Sequence, residues 1–369
     1  MPDCYFDWAA AAPFSPEFSP PGREYALFAN CDSLHHLGVL SETAFNGARG
    51  AFARNIGAAP EEIIFTSGAT ESNNLAIKGA PRRGRVITSN VEHPSVSECV
   101  SFLAAQGNPV TYVKADQNGA VTADALEKAV LPDTVLASFF YVNAETGVIN
   151  DIEALARVVR QKAPRAVFHA DAAQALGKLP LTLKNVDLMS FSSHKIFGPN
   201  GLGALFVRKG LRLNPLFHGG GQQNGVRPGT INLPAVVAFA QAADSAKDNS
   251  DARRHYVSAL KNAVLEQISQ IEGFCQNGAD TVAHILNISF DGVKGEVLLN
   301  ALSNDGIYIS TGSACHAKRG GKNTIAQFAP ERADFSVRIS FSHKNTDEQC
   351  ALLAAALKKH TAILRGHEL

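Results

Sequence analysis

The residues with the most chemical potential lie between Phe168 and Gly203, in the stretch FHADAAQALGKLPLTLKNVDLMSFSSHKIFGPNGLG. One apolar run ends at Asp171; a second, Val186 to Phe191, ends in Ser192, Ser193, His194 and Lys195, before a turn rich in glycine and proline. Open α/β sheets place ligands at the carboxyl ends of their strands. A lysine beside hydroxyls and an imidazole, with an aspartate 24 positions earlier, is the set a pyridoxal phosphate enzyme needs: a Schiff-base amine and an acid that keeps the pyridinium nitrogen protonated. The same residues also fit an ordinary surface lysine after a strand. Nothing local chooses between the two.

Three further stretches carry chemistry-bearing residues. In EEIIFTSGATESNNLAIKG, the turn Ser67-Gly68-Ala69-Thr70 joins a strand to a helix, and Thr70 sits where free N–H groups attract an anion. That is a phosphate cup or a common α/β turn. HGGGQQNGVRPGT, after Phe217, holds Arg227 and Thr230 among glycines; it is a flexible surface loop or a phosphate contact reaching across a subunit interface. Cys315 stands on a small-residue loop, Ser310 to His316, near Lys318 and Arg319, a setting that favours an exposed thiolate. The segment onward to Asp334 has no strong period and is expected to be a long loop. The other cysteines (Cys4, Cys31, Cys99, Cys275, Cys350) are scattered, with no CxxC pair and no metal-ligand spacing. They read as small packed residues; neither a disulfide framework nor a metal is expected.

The elements that must position these groups alternate. Strands are predicted at 63–66, 85–89, 110–113, 135–141, 167–169, 187–191 and 202–207, with helices at 41–56, 71–78, 94–106, 123–130 and 152–161. This spacing means an α/β fold, a mostly parallel sheet of about seven strands with helices on both faces. Thr70, His93, Asn143, Asp171 and Ser192 all fall at strand carboxyl ends, so one sheet edge would gather them. An alanine-rich helical region, 233–264, is interrupted by KDNSDARR, taken as a hinge; a smaller α+β domain follows. The expected division is 14–245 for the large domain, with 1–13 and 246–369 forming the small one that carries the cysteine loop. At 369 residues the chain exceeds what one core of ~250–300 residues serves. Lys+Arg (34) balances Asp+Glu (34), which argues against a nucleic-acid surface. No apolar run reaches the ~18 residues of a membrane span, and a cytoplasmic protein is expected.

Together the motifs GATESNN (68–74), EHPSV (92–96), VNAETG (142–147), HADAAQALGK (169–178), SFSSHKIFGPNGLGAL (190–205), GGG through RPGT (219–230), HILNISF (284–290), STGSAC (310–315) and SVRIS (336–340) resemble the pyridoxal phosphate-dependent cysteine desulfurases, class V aminotransferases of fold type I. The resemblance runs the length of the chain. It implies pyridoxal 5'-phosphate as cofactor, with Lys195 as its Schiff-base lysine, Asp171 on the pyridinium nitrogen, His93 stacked on the ring and Gln174 on the ring hydroxyl. It implies Gly68, Ala69, Thr70, Ser192 and His194 around the phosphate, with Thr230 contributed by the other subunit of a homodimer. Arg338 and Asn143 would receive the carboxylate of L-cysteine, Asn143 also facing the cofactor. Cys315 would be the nucleophile, taking sulfur as a persulfide, releasing L-alanine and passing the sulfur to an acceptor protein for iron–sulfur cluster assembly or nucleotide thiolation. A selenocysteine lyase or other β-eliminating relative, and a non-catalytic scaffold paralogue, are the alternatives. The chain departs from the family pattern at residues 316–335, which are more basic and a little shorter, and at CDS after Asn30.

Overall fold

A computed structural model describes residues 4–18, 29–80, 83–311 and 323–366. In chain order the elements are β1 (Cys4–Tyr5), α1 (His36–Ile56), β2 (Ile63–Thr66), α2 (Ala69–Gly79), β3 (Arg85–Ser89), α3 (Pro94–Ala105), β4 (Val110–Val113), α4 (Ala123–Ala129), β5 (Thr134–Phe140), α5 (Ile152–Lys162), β6 (Val167–Asp171), β7 (Leu188–Ser192) and β8 (Gly203–Val207). Then come α6 (Leu233–Asp248), α7 (Ser250–Ile268), β9 (Phe274–Gln276), β10 (Ile285–Phe290), α8 (Gly295–Asn304), β11 (Ile307–Tyr308), β12 (Ser336–Ser340) and α9 (Asp347–Leu364).

Seven strands form the central sheet in the order β2-β8-β7-β6-β5-β3-β4. All pairings are parallel except the two made by β8. The strands at its centre, β6 and β7, are buried at every position, as a sheet covered by helices on both faces requires. On one face α1 and α6 pack together through rings: Phe52 lies 4.8 Å from Phe239 and meets Phe65 and Phe191 edge-on. A separate buried cluster joins α7, β10, β12 and α9 with Phe6 near the start of the chain. There β9, β10 and β12 form an antiparallel sheet, while β1 pairs in parallel with β11.

Several elements differ from the sequence expectation. Helix α1 begins at His36, because the His35 side chain caps it by accepting from the Gly38 N–H at 3.2 Å. The interruption expected at KDNSDARR is, by contrast, present: the long helical region is two helices broken at Asn249, whose backbone (φ −107°) leaves the helical range. Strands β1 and β9 are too short to show a period. Within the segment expected as a loop to Asp334, the described residues from 323 onward hold two 3-10 turns, Ile325–Gln327 and Pro330–Phe335, which pack Ile325 and Ala333 inward. Turns of this length bury single residues and produce no repeating pattern.

Candidate active site

The carboxyl edge of the central sheet gathers the candidate residues. Strand β6 ends at Asp171, which is 7 % exposed. Its Oδ2 accepts from Asn73 Nδ2 at 2.8 Å and its Oδ1 from the Ala173 N–H at 3.0 Å. Among the described residues no cation lies within ion-pairing distance of it. Asn73 Nδ2 also donates to Ser95 Oγ (2.8 Å), which lies 2.8 Å from His93 Nδ1. A polar chain therefore runs from His93 through Ser95 and Asn73 to Asp171. His93 caps α3 by accepting from the Ser95 N–H at 3.1 Å, with its ring exposed to the edge. Ser95 and Asn73 were not singled out in the sequence, although both lie inside quoted motifs; Asn73, fully buried on the amphipathic helix α2, was the detectable signal.

Strand β7 ends in Ser192 and passes into a 3-10 turn, Ser193–Ile196, that presents Lys195. Its Nζ donates to the carbonyls of Ala9 (2.6 Å) and Ala10 (2.7 Å). Gln174 Nε2 donates to the same Ala9 oxygen at 2.9 Å, so the N-terminal segment holds both side chains together. Burial pulls the Lys195 amine down to about 8, helped by the Arg338 guanidinium and opposed by Asp7 and Asp171. Ser192 Oγ and His194 Nδ1 are 3.0 Å apart. His194 is pulled to about 4 by burial and by Lys195 and Lys178, and is neutral at pH 7.

Gly68 precedes α2 at φ +153°, and no side chain caps that helix. Its first N–H groups thus remain available to an anion. Gly203, paired with Ser192 in the sheet, packs so tightly on Gly68 that a Cβ at 203 would stand 2.6 Å from the Gly68 backbone. This contact brings Gly68, Ala69 and Thr70 beside Ser192 and His194. Thr70 is exposed. Thr230 is exposed at the end of its loop, which Arg227 ties to the start of α2 through Glu71 (3.0 Å). The Gln223 amide pairs with both the N–H and the C=O of Phe65, securing the same loop to β2.

On β12, Arg338 donates from Nη2 to Asp7 Oδ1 (2.7 Å) and from Nη1 to the Ala144 carbonyl (3.0 Å), while its buried Nε has no partner among the described residues. Neighbouring Asn143 spends its amide on its own loop: Oδ1 accepts from the N–H groups of Glu145 and Thr146, and Nδ2 donates to the Val91 carbonyl. Two buried groups lie behind the edge. His169 is held between Ser138 and Ser190 and kept neutral by burial. Glu92 meets Ser89, and burial raises it to about 8. Cys315 lies outside the described residues, as does the rest of its loop from residue 312 to 322. Burial pushes Cys99 to about 11 and Cys350 to about 12, the opposite of what a reactive thiol needs.

The site fits pyridoxal phosphate. A buried carboxylate with no cation beside it suits a protonated ring nitrogen, a half-buried lysine with a depressed pKa suits its aldehyde, and an uncapped helix start beside Ser192 and His194 suits its phosphate. The family model described as "Aminotransferase class-V" matches residues 4–353. A cysteine desulfurase IscS of Methylobacillus flagellatus is 38% identical over 98% of this chain and 93% of its own length, and one of Serratia proteamaculans is 36% identical over the same shares. Among solved structures, a NifS-like protein superposes with a TM-score of 0.91 at 31% identity, covering 98% of this chain and 99% of its own. Another, described as SspA in complex with cysteine, gives 0.81 at 32% identity over 93% of this chain and all of its own. The chain belongs to the aminotransferase class-V family.

Proposed function

We propose that the protein is a pyridoxal phosphate-dependent cysteine desulfurase that converts L-cysteine to L-alanine and retains the sulfur as a persulfide on Cys315. The observation that carries this reading is the meeting, at one sheet edge, of Lys195, Asp171, Gln174 and Arg338 in a chain that also holds a cysteine on a small-residue loop. Asp171, Gln174, His93 and the start of α2 with Ser192 and His194 would hold the cofactor. When bound there, pyridoxal phosphate supplies an electron sink for the amino acid's α-carbon.

The chain's own residues do the rest. Arg338, whose Nη2 is held by Asp7, would receive the substrate carboxylate by exchanging that contact for it, a two-point grip being suited to a planar guanidinium. Lys195, with a pKa near neutrality, accepts and returns a proton at carbon. The Cys315 thiolate attacks the substrate sulfur: an S–S bond forms, the Cβ–S bond breaks, and its electron pair with a proton completes the methyl group of alanine. One L-cysteine and one thiol become one L-alanine and one persulfide.

The persulfide then passes to an acceptor protein for iron–sulfur cluster assembly or nucleotide thiolation. We further read the working form as a cytoplasmic homodimer. Leu34, Leu37, Val39 and Leu40 are exposed together near the start of α1, an apolar group suited to a subunit contact, and the exposed Thr230 stands free to face a second copy. Mass spectrometry after brief exposure to L-cysteine without reductant tests the reaction. A gain of about 32 Da on the Cys315 peptide, abolished by Lys195→Ala, is expected. Neither sulfur adduct nor alanine from the cofactor-loaded protein would overturn the reading.

A further inference from the structure

Asn73 stands in the interior of α2, fully buried, at a position that alanine or leucine would suit better. Both hydrogens of its amide are engaged, one with Asp171 Oδ2 and one with Ser95 Oγ, each contact being 2.8 Å long. The amide oxygen is buried as well, and it has no partner among the described residues. Buried acceptors are rarely left so, because an unmade bond works against the fold. Only the donating half of this side chain is used. A residue that breaks two local rules to deliver two hydrogens points to a functional task and not to packing.

The directions of these bonds follow from the two ends of the chain they form. A carboxylate only accepts, so the edge of the Asn73 amide that faces Asp171 Oδ2 is its NH2. At the other end the Ser95 N–H donates to His93 Nδ1, which makes that nitrogen an acceptor and the Ser95 hydroxyl, 2.8 Å away, its second donor. Ser95 Oγ is left to accept from Asn73. The same helix carries the anion pocket at its start. Ser72 Oγ lies 2.7 Å from Thr66 Oγ1 and donates to the Ala204 carbonyl at 3.0 Å, which pins α2 to β2 and β8. Asn73 leaves the helix about one turn after Thr70, so it sets Asp171 against an element already fixed at its anion-binding end.

We propose that Asn73 is a positioning residue for the ring-nitrogen contact: its amide aims the Asp171 carboxylate and holds it at a fixed reach from the phosphate-binding start of α2. A flat ring with its phosphate on one arm and its nitrogen at another edge is rigid, so both anchors must keep one separation. The inference rests on the pyridoxal phosphate reading of the site and extends it to a residue that acts through Asp171.

The full chain, freed of cofactor, is titrated with pyridoxal phosphate and, separately, with its carbocyclic analogue, in which a C–H replaces the ring nitrogen; absorption of the bound compound gives each affinity. The analogue keeps the aldehyde, hydroxyl and phosphate but offers Asp171 nothing to hold. From wild type to Asn73→Ala, the affinity for pyridoxal phosphate relative to the analogue is expected to fall roughly tenfold, the scale of one hydrogen bond to a charged group. A general loosening of α2, or an effect carried by Ser95 and His93 to the face of the ring, weakens both compounds alike and cancels in the ratio. An unchanged ratio, whatever the absolute affinities, would overturn the inference and leave the cofactor reading standing. Uptake of neither compound by the wild type would overturn that reading and the inference with it. Should the melting curve show Asn73→Ala unfolded, Asn73→Leu takes its place, being similar in size, favourable in a helix and without donors; the same fall in the ratio is expected.

Discussion

Glu92 shows how single groups at this site are tuned by what surrounds them. Its carboxyl is almost fully enclosed, with Ser89 beside one oxygen and the Asp171 charge nearby. Burial is the leading cause that raises it from 4.5 to about 8, and Asp171 adds to the rise. The folded chain therefore holds this proton more tightly than the unfolded one. Its contribution is complete below pH 4.5 and is lost as pH rises through about 8. Glu92→Gln cannot ionise. Its melting temperature relative to wild type is expected to rise by roughly a few degrees between pH 5 and pH 8, and a difference that stays flat across that range would show that Glu92 is ionised in the fold.

At the scale of elements, the packing of β8 on the start of α2 sets the shape of the anion pocket. A Cβ at Gly203 would meet the Cα and carbonyl carbon of Gly68 and the Phe191 oxygen, each at 2.6 Å, and all are backbone atoms. Gly203→Ala is expected to destabilise by about 1–3 kcal/mol or more and to release the cofactor more readily on dialysis. Gly47→Ala, inside α1 with open space around it, is the control and is expected to be neutral or stabilising by up to ~1 kcal/mol. Equal behaviour of the two variants would show that the contact at 203 is not limiting. The central sheet was legible in the sequence because its strands are continuous apolar runs ending in polar residues, as at Asp171 and Ser192. The helix break at Asn249 was legible as a polar interruption. The short strands β1 and β9 and the turns at 325–335 were not, since two to six residues carry no period. Within the site, Lys195 and Asp171 stood out by type and position. Asn73 and Ser95 did not, because their function is to link two other side chains, and only the fold shows which residues they join.

Over the whole molecule, the first residues of the chain tie the two cores together. Phe6 is fully buried in the cluster of α7, β10, β12 and α9, while Ala9 belongs to the cluster around the central sheet. Between them Asp7 pairs with Arg338, both mostly shielded from solvent. A half-buried charged hydrogen bond of this kind is worth ~1.5–3 kcal/mol. Asp7→Asn is expected to lower the melting temperature by roughly a few degrees and to speed proteolytic cleavage near residues 9–13; unchanged cleavage would mean that the strap holds without its ion pair.

The carbonyl of Ala9 gives the order of synthesis a chemical consequence. It accepts from Gln174 and Lys195, yet the Ala9 N–H is held by Ser340 Oγ, 331 positions along the chain, and Phe6 exchanges backbone bonds with Tyr308 and Ser340. Residues 6–9 are made well before Ser340 and can dock there only after β12, the last described strand, has emerged. Contacts of such long range form late, since the loop they close must be gathered first. The central sheet can therefore fold during translation with its lysine unrestrained, and the amine is brought to its working position only in a finished chain. An interrupted product would carry Lys195 without the grip that orients it.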